Sequence, residues 1–366
     1  MDGVEVSNVW NTEGQSYNLR RSGTAKSHNL LPSGLKCFVR KLIQNRIEFK
    51  NFEADYAFSQ FAATYSVKIP FYRKSSVIAE CEFIDRLKSE PFDLGHIAYV
   101  ENNLGMLSNE SVKSSISAKI TGTIHQPMSW WKLCSDVNLL KSLDLIVVLS
   151  EYEQRQWQRY YPDKTVFVPH GIDTSFFKPP ETNSVSEIFT CLFSGQWLRD
   201  LRLLSSIVDE VSKIDPSIRF NIIYPNNRIN INTIGYDLLK ISRHENVDML
   251  SNISDLELVG CYQNASLLLL PLIDCTANNS ILEAMACGLP VIANALPSLN
   301  SYLGKSCSVL VGDAKPEKFV EEIIALKNDK KRLSTMGGDA RQRSTELDWK
   351  NVQSDLLSHF RKLLTT

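Results

Sequence analysis

Short apolar runs alternate with stretches of helical periodicity along most of the chain. Runs at 67–71, 96–100, 119–125 and 145–150 read as strands, with a helical stretch at 76–88 after the first. Further runs follow at 188–195, 220–226, 267–272, 290–293 and 308–311. The run at 267–272 is apolar almost throughout, as expected of a strand covered on both faces in a parallel sheet. Strands alternating with helices predict an α/β chain built on doubly wound parallel sheets.

The most informative stretch is 265–294. Its strand stops in a polar loop at 274–278, and a helix follows in which Ile281, Leu282, Met285 and Ala286 fall at helical spacing. Asn279 or Ser280 is expected to cap that helix, and Gly288 with Pro290 to end it. In such a β-loop-α-β unit, ligands bind in the crevice at the strand's carboxyl end, and N–H groups at the helix start can hold a phosphate. Glu283 stands about one turn inside the helix, where a lone carboxylate can accept hydrogen bonds from a sugar's vicinal hydroxyls.

Elsewhere the pattern is less regular. Residues 1–28 are polar and predict at most a weak strand near 4–6. After Ser33 and Gly34, Leu35, Phe38, Val39, Leu42 and Ile43 share one helical face, and Lys36, Arg40, Lys41 and Arg46 occupy the rest. A plain solvated helix and one resting on anionic lipid both fit. A strand and turn over 165–179, with Gly171 and Asp173 shaping the turn, lead into a Pro/Ser-rich boundary. The domains expected are a poorly ordered segment 1–28, an amino-terminal domain 29–178, a carboxyl-terminal domain 179–347 and a closing helix 348–366.

Composition narrows the class. At 366 residues, with 43% hydrophobic and 22% charged residues, the chain has room for two ordinary globular domains. A formal net charge of −1 argues against a general nucleic-acid binder. No apolar run approaches the roughly 18 residues that span a bilayer, and no secretory signal is visible. The eight cysteines are scattered, without a Cys-x-x-Cys pair or a histidine at ligand spacing. Reduced thiols in a cytoplasmic protein, with no metal site, are the expectation.

The stretch 282–293, LEAMACGLPVIA, resembles the signature of the retaining, nucleotide-sugar-dependent glycosyltransferases of family 4. The resemblance implies the GT-B fold, two doubly wound Rossmann-like domains facing across a cleft. The family pattern pairs two glutamates, the first touching the donor sugar and the second the ribose. Glu283 matches the second, whereas the first falls on Cys275, so Asp274, Thr276 or the Asn278–Asn279 pair would replace it. The DxTANN loop, HIAYVENNLG (96–105) and TIHQP (123–127) resemble a branch of the family in which a histidine at the His125 position lies by the donor sugar. Ser33 and Gly34 resemble a loop facing the cleft. The turn after Gly195 resembles the one whose basic residues hold the diphosphate, Arg199 matching better than Arg202. The segment 245–265 resembles the lining of the base pocket, and the last helix the one that crosses back, with Trp349 as its anchor.

The resemblance implies transfer of a sugar, with retention, from a UDP- or GDP-type donor to a hydroxyl of a glycan, lipid-linked or other acceptor in glycoconjugate synthesis. No bound cofactor or metal is expected. His125 and Glu283 are the expected catalytic residues. Ser33, Gly34, Glu101, Gly195, Arg199, Arg202, Asp274, Thr276, Asn278, Asn279 and Ser280 join Glu283 as donor-binding candidates. Two other classes stay open: a non-catalytic nucleotide-binding partner of another transferase, motivated by Cys275, and a GT-B nucleotide-sugar epimerase. Location is expected to be cytoplasmic, with peripheral membrane contact through Lys36, Arg40 and Lys41.

Overall fold

The computed structural model describes residues 59–63, 69–181, 188–225 and 235–365. The weak strand near 4–6, Ser33 and Gly34, and the helix carrying Lys36, Arg40 and Lys41 lie outside them. The chain forms two compact units. One takes in the described residues up to Val148, Gln154–Val166 and the segment from Ser358, and the other consists of Leu149–Glu153 and Phe167–Leu357.

The first unit contains α1 (Lys74–Ser89), β1 (Leu94–Ile97), α2 (Val100–Asn103), α3 (Glu110–Lys113), β2 (Lys119–Ile124), α4 (Met128–Cys134) and β3 (Leu145–Val148). The chain then passes through α5 (Glu151–Trp157) to β4 (Thr165–Phe167). The sheet order is β1-β2-β3-β4, with β1 to β2 and β2 to β3 parallel.

Two predicted strands are corrected here. Ile69, Pro70 and Phe71 form a bend and turn, closed by Tyr72 N–H donating to Ile69 O at 2.9 Å, and not part of a strand over 67–71. Pro70 has no N–H for a ladder, so the buried Ile69 and Tyr72 lead into α1 instead. The run at 96–100 ends as a strand at Ile97, because Val100 and Leu104 are buried one helical turn apart through α2.

The second unit runs β5 (Thr190–Ser194), α6 (Leu201–Ile214), β6 (Arg219–Ile223), α7 (Gly235–Ile241), β7 (Val247–Leu250), α8 (Asp255–Asn264), β8 (Leu267–Leu270), α9 (Asn279–Ala286) and β9 (Val291–Asn294). It continues with β10 (Ser308–Val311), α10 (Pro316–Asn328), α11 (Lys330–Glu346) and α12 (Trp349–Thr365). Its sheet is parallel in the order β10-β9-β8-β5-β6-β7. The chain winds one way from β5 to β7 and the other way from β8 to β10, so the order reverses between β5 and β8. All four residues of β8 are buried, and Leu203, Leu204, Ile207, Val208 and Val211 of α6 turn one apolar face to the core.

Trp349, expected to anchor the last helix, packs on the turn at 170–171, which belongs with it to the second unit. Its ring lies 5.1 Å from that of His170, and a Cβ on Gly171 would meet it at 2.5 Å. The part of α12 from Ser358 belongs to the first unit, where Phe360 lies 5.2 Å from His96.

Candidate active site

The reversal between β5 and β8 sets the place. In an open parallel sheet, ligands bind at the carboxyl ends of the strands where the strand order reverses. Here the loops leaving those ends are 195–200, after β5, and 271–278, after β8. They are joined by backbone bonds, Asp200 N–H to Pro271 O at 3.0 Å and Ile273 N–H to Leu198 O at 2.9 Å. Asn294 Oδ1 accepts from Leu272 N–H at 2.7 Å. Leu198 is held at φ 55°, a costly conformation for leucine that the surrounding bonds enforce.

Arg199 reaches from the first loop into the second. Its Nε donates to Ser194 O at 3.0 Å and Nη1 to Trp197 O at 2.9 Å, while Nη2 meets Ser280 Oγ at 3.1 Å and Asn278 Oδ1 at 3.4 Å. The guanidinium lies over Gly195, where φ is +94° and a Cβ would come within 2.7 Å of Nη2. The cap of α9 is Asn278, one residue earlier than predicted. Its extended backbone lets the side chain accept from Ile281 N–H at 3.3 Å. Ser280 is thereby freed to contact Arg199 and to donate to Ser194 O at 3.2 Å. A partly exposed cation and the start of a helix thus meet at one point, a combination suited to a phosphate.

Glu283 lies on the same helix and is 7% exposed. Tyr262 Oη donates to its Oε2 at 2.7 Å, and burial pushes the carboxyl up to about 7 against the opposing pull of that bond and of Arg199. Sequence reasoning missed Tyr262. It belongs to α8, and only the tertiary fold brings it to Glu283, 21 positions away.

The other candidates in this unit divide sharply. Cys275 and Thr276 are 3% and 2% exposed, and Cys275 belongs to the apolar core. Burial drives its thiol well above the usual range. Asp274 Oδ1 accepts from Cys275 N–H at 2.8 Å, which shapes the loop. Asn279 is partly exposed at the first position of α9. Arg202 is exposed on the first turn of α6, and the contacts that gather around Arg199 do not include it.

In the first unit, Glu101 is 1% exposed, and its Oε1 accepts from the backbone N–H groups of His125 at 2.5 Å and Gln126 at 2.6 Å. Oε2 and the Trp131 indole nitrogen are both buried without a hydrogen bond of ordinary geometry among the described residues, but the indole N–H is near enough to pull the Glu101 pKa down slightly. Burial pushes Glu101 up to about 7. Glu101 therefore holds the turn that carries His125. The His125 ring stacks on Tyr99 at 3.8 Å between centroids, and its Nε2 lies 2.9 Å from Ala98 O, which requires the proton on Nε2. Among the described residues, no group of three or more His, Cys, Asp or Glu side chains could hold a metal ion, and no helix is long and apolar enough to cross a membrane.

Residues 190–329, from β5 to just past α10, match the family model described as Glycosyl transferases group 1. A D-inositol 3-phosphate glycosyltransferase of Segniliparus rotundus is 23% identical over 258 residues, covering 66% of this chain and 57% of that protein. An MMP alpha-(1->4)-mannosyltransferase of Mycolicibacterium hassiacum is 22% identical over 56% of this chain and 49% of its own length. The chain spans about half the length of these curated relatives. Among solved structures, a sucrose-phosphate synthase from Thermosynechococcus elongatus aligns with a TM-score of 0.65 at 17% identity, covering 79% of each chain. Anabaena HepE, in complex with UDP and glucose, aligns at 0.63 and 13% identity, over 79% of this chain and 81% of its own. The fold is GT-B: two Rossmann-like α/β units, each on a parallel sheet.

Proposed function

We propose that the chain is a retaining glycosyltransferase of family 4 that moves a sugar from a UDP- or GDP-type donor to a hydroxyl of a glycan, lipid-linked or other acceptor. The observation that carries this is the convergence of Arg199 and the first turn of α9 at the strand reversal, with Glu283 on the same helix. In this reading Arg199 and the start of α9 take the diphosphate and stabilise the charge that develops as it departs, without a bound metal. Glu283 accepts from the ribose diol. The loop of Asp274, Thr276, Asn278 and Asn279 serves the donor sugar, and His125 is likewise proposed as a donor-sugar residue. Retention places the acceptor hydroxyl on the leaving-group side. The transferase names of the relatives and the UDP and glucose held by HepE support the substrate class.

The proposed division is an acceptor domain over 29–178, a nucleotide domain over 179–347 and a closing helix. Work in the cytoplasm on a lipid-linked acceptor would bring Lys36, Arg40 and Lys41 to a membrane face. The test is thermal melting with UDP and GDP, followed by hydrolysis of the matching nucleotide sugars by the wild type and Glu283→Ala. Stabilisation by one nucleotide and slow hydrolysis lost in the variant are expected. Failure of both nucleotides to bind would overturn the reading.

A further inference from the structure

Glu283 raises a question that its burial makes acute. A carboxylate on a helix has rotameric freedom, and one this enclosed is easily misaimed or neutralised. Tyr262 answers the first difficulty and opposes the second. It is fully buried, its ring stands edge-on to Phe177 at 6.1 Å, and its hydroxyl donates to Glu283 Oε2 at 2.7 Å. Among the described residues it is the hydrogen-bond partner of that carboxylate, so Oε1 is left for a ligand. The donor is neutral, which matters: an arginine there would satisfy both oxygens, whereas one phenol holds Oε2 and leaves the negative charge to the incoming hydroxyls. Burial and the adjacent carboxylate raise the phenol well above its usual range, so it remains an O–H donor.

We propose that Tyr262 is a positioning residue that fixes the Glu283 carboxylate through Oε2 and so presents Oε1 to the vicinal diol of a ribose. The proposal rests on the reading of Glu283 as the diol-binding residue. A phenol that merely fills the core would support stability without affecting which nucleotide binds.

The experiment measures the affinities of UDP and GDP and of their 2′,3′-dideoxy analogues for the wild type, Tyr262→Phe, Glu283→Ala and the double variant. Tyr262→Phe should weaken binding of the preferred ribonucleotide about tenfold and leave the dideoxy analogue unchanged, and the double variant should bind no more weakly than Glu283→Ala. Incorporation of 3-fluorotyrosine at 262 keeps the ring and hydroxyl but makes a stronger donor, so the pH midpoint of diol-dependent binding should move down. This arm also serves if Tyr262→Phe does not fold. An unchanged midpoint, or an undiminished diol preference in Tyr262→Phe, overturns the proposal alone. A wild type that binds UDP or GDP without preferring the diol overturns the role of Glu283 as well. A wild type that binds neither overturns the functional reading.

Discussion

Arg199 Nη2 lies 3.1 Å from Ser280 Oγ, so a side chain from the loop after β5 grips the first turn of the helix that follows β8. The bond crosses the strand reversal and aligns a cation with the start of α9. Arg199→Ala should therefore weaken nucleoside diphosphate binding about 100-fold, the loss of a cation held at the start of α9, with a shallower dependence on salt. Arg199→Lys should recover only part, because an ammonium cannot serve Ser194, Trp197 and Ser280 from one plane. Titration calorimetry at two salt concentrations checks both. Equal binding by Arg and Lys forms would argue against a planar contact.

Gly195 is the companion of that arginine. At φ +94° a side chain is strained by about 1–2 kcal/mol, and a Cβ would also press on the guanidinium at 2.7 Å. Gly195→Ala should cost about that much stability in denaturant unfolding and reduce nucleotide affinity as well. An affinity loss without a stability loss would mean that the strain is relieved elsewhere in the loop.

Glu101 acts through the backbone. Replacing it with alanine leaves the N–H groups of His125 and Gln126 without their acceptor, at about 1–3 kcal/mol each. Glu101→Ala should lower stability and turnover while nucleotide affinity stays near wild type. If nucleotide affinity falls with turnover, Glu101 has a role beyond the turn.

The strands of the second unit were legible because buried parallel strands are continuous apolar runs, and β8 is apolar at every position. The loops and helix starts next to those runs set the place of the candidate site. What escaped were features decided by a single atom or by tertiary packing. Pro70 removed a ladder donor from a run that otherwise looked like a strand. Val100 and Leu104 satisfy a helical and a strand period equally well over so short a span. Asn278, Asn279 and Ser280 can all cap a helix, and only backbone geometry chose Asn278. Tyr262 and Glu283 lie 21 positions apart with no periodic relation, and nothing local reveals that the target of Glu101 is two backbone amides.

Cys275 stands where the family resemblance expects a glutamate, and its 3% exposure explains what that change would require. Cys275→Glu would place a carboxylate in the core beside Asp274 and near Glu153, both of which already raise the thiol's pKa. A loss of about 3 kcal/mol or more is expected, read as a lower denaturation midpoint. Cys275→Ala should cost less and leave nucleotide binding intact. A stable Cys275→Glu variant with faster turnover would show that this loop can turn the side chain into the crevice.

The buried carboxylates carry a pH signature whose sign can be worked out. Glu80, Glu101 and Glu283 are each pushed by burial from 4.5 to about 7. Between those values the folded chain binds more protons than the unfolded one, so their stabilising contribution is complete below about 4.5 and is lost as pH rises through about 7. The loss is at most about 3 kcal/mol per group. Glu283→Gln should remove one share of that slope in urea unfolding measured from pH 5 to 8. Nucleotide affinity should run the opposite way, because hydroxyls donate to the ionised carboxylate, so wild-type binding should tighten as pH rises through about 7 and release protons to the buffer. In Glu283→Gln that pH dependence should flatten. If wild type and variant keep the same slopes, Glu283 titrates in the ordinary carboxylate range and its buried, Tyr262-held arrangement does not persist in solution.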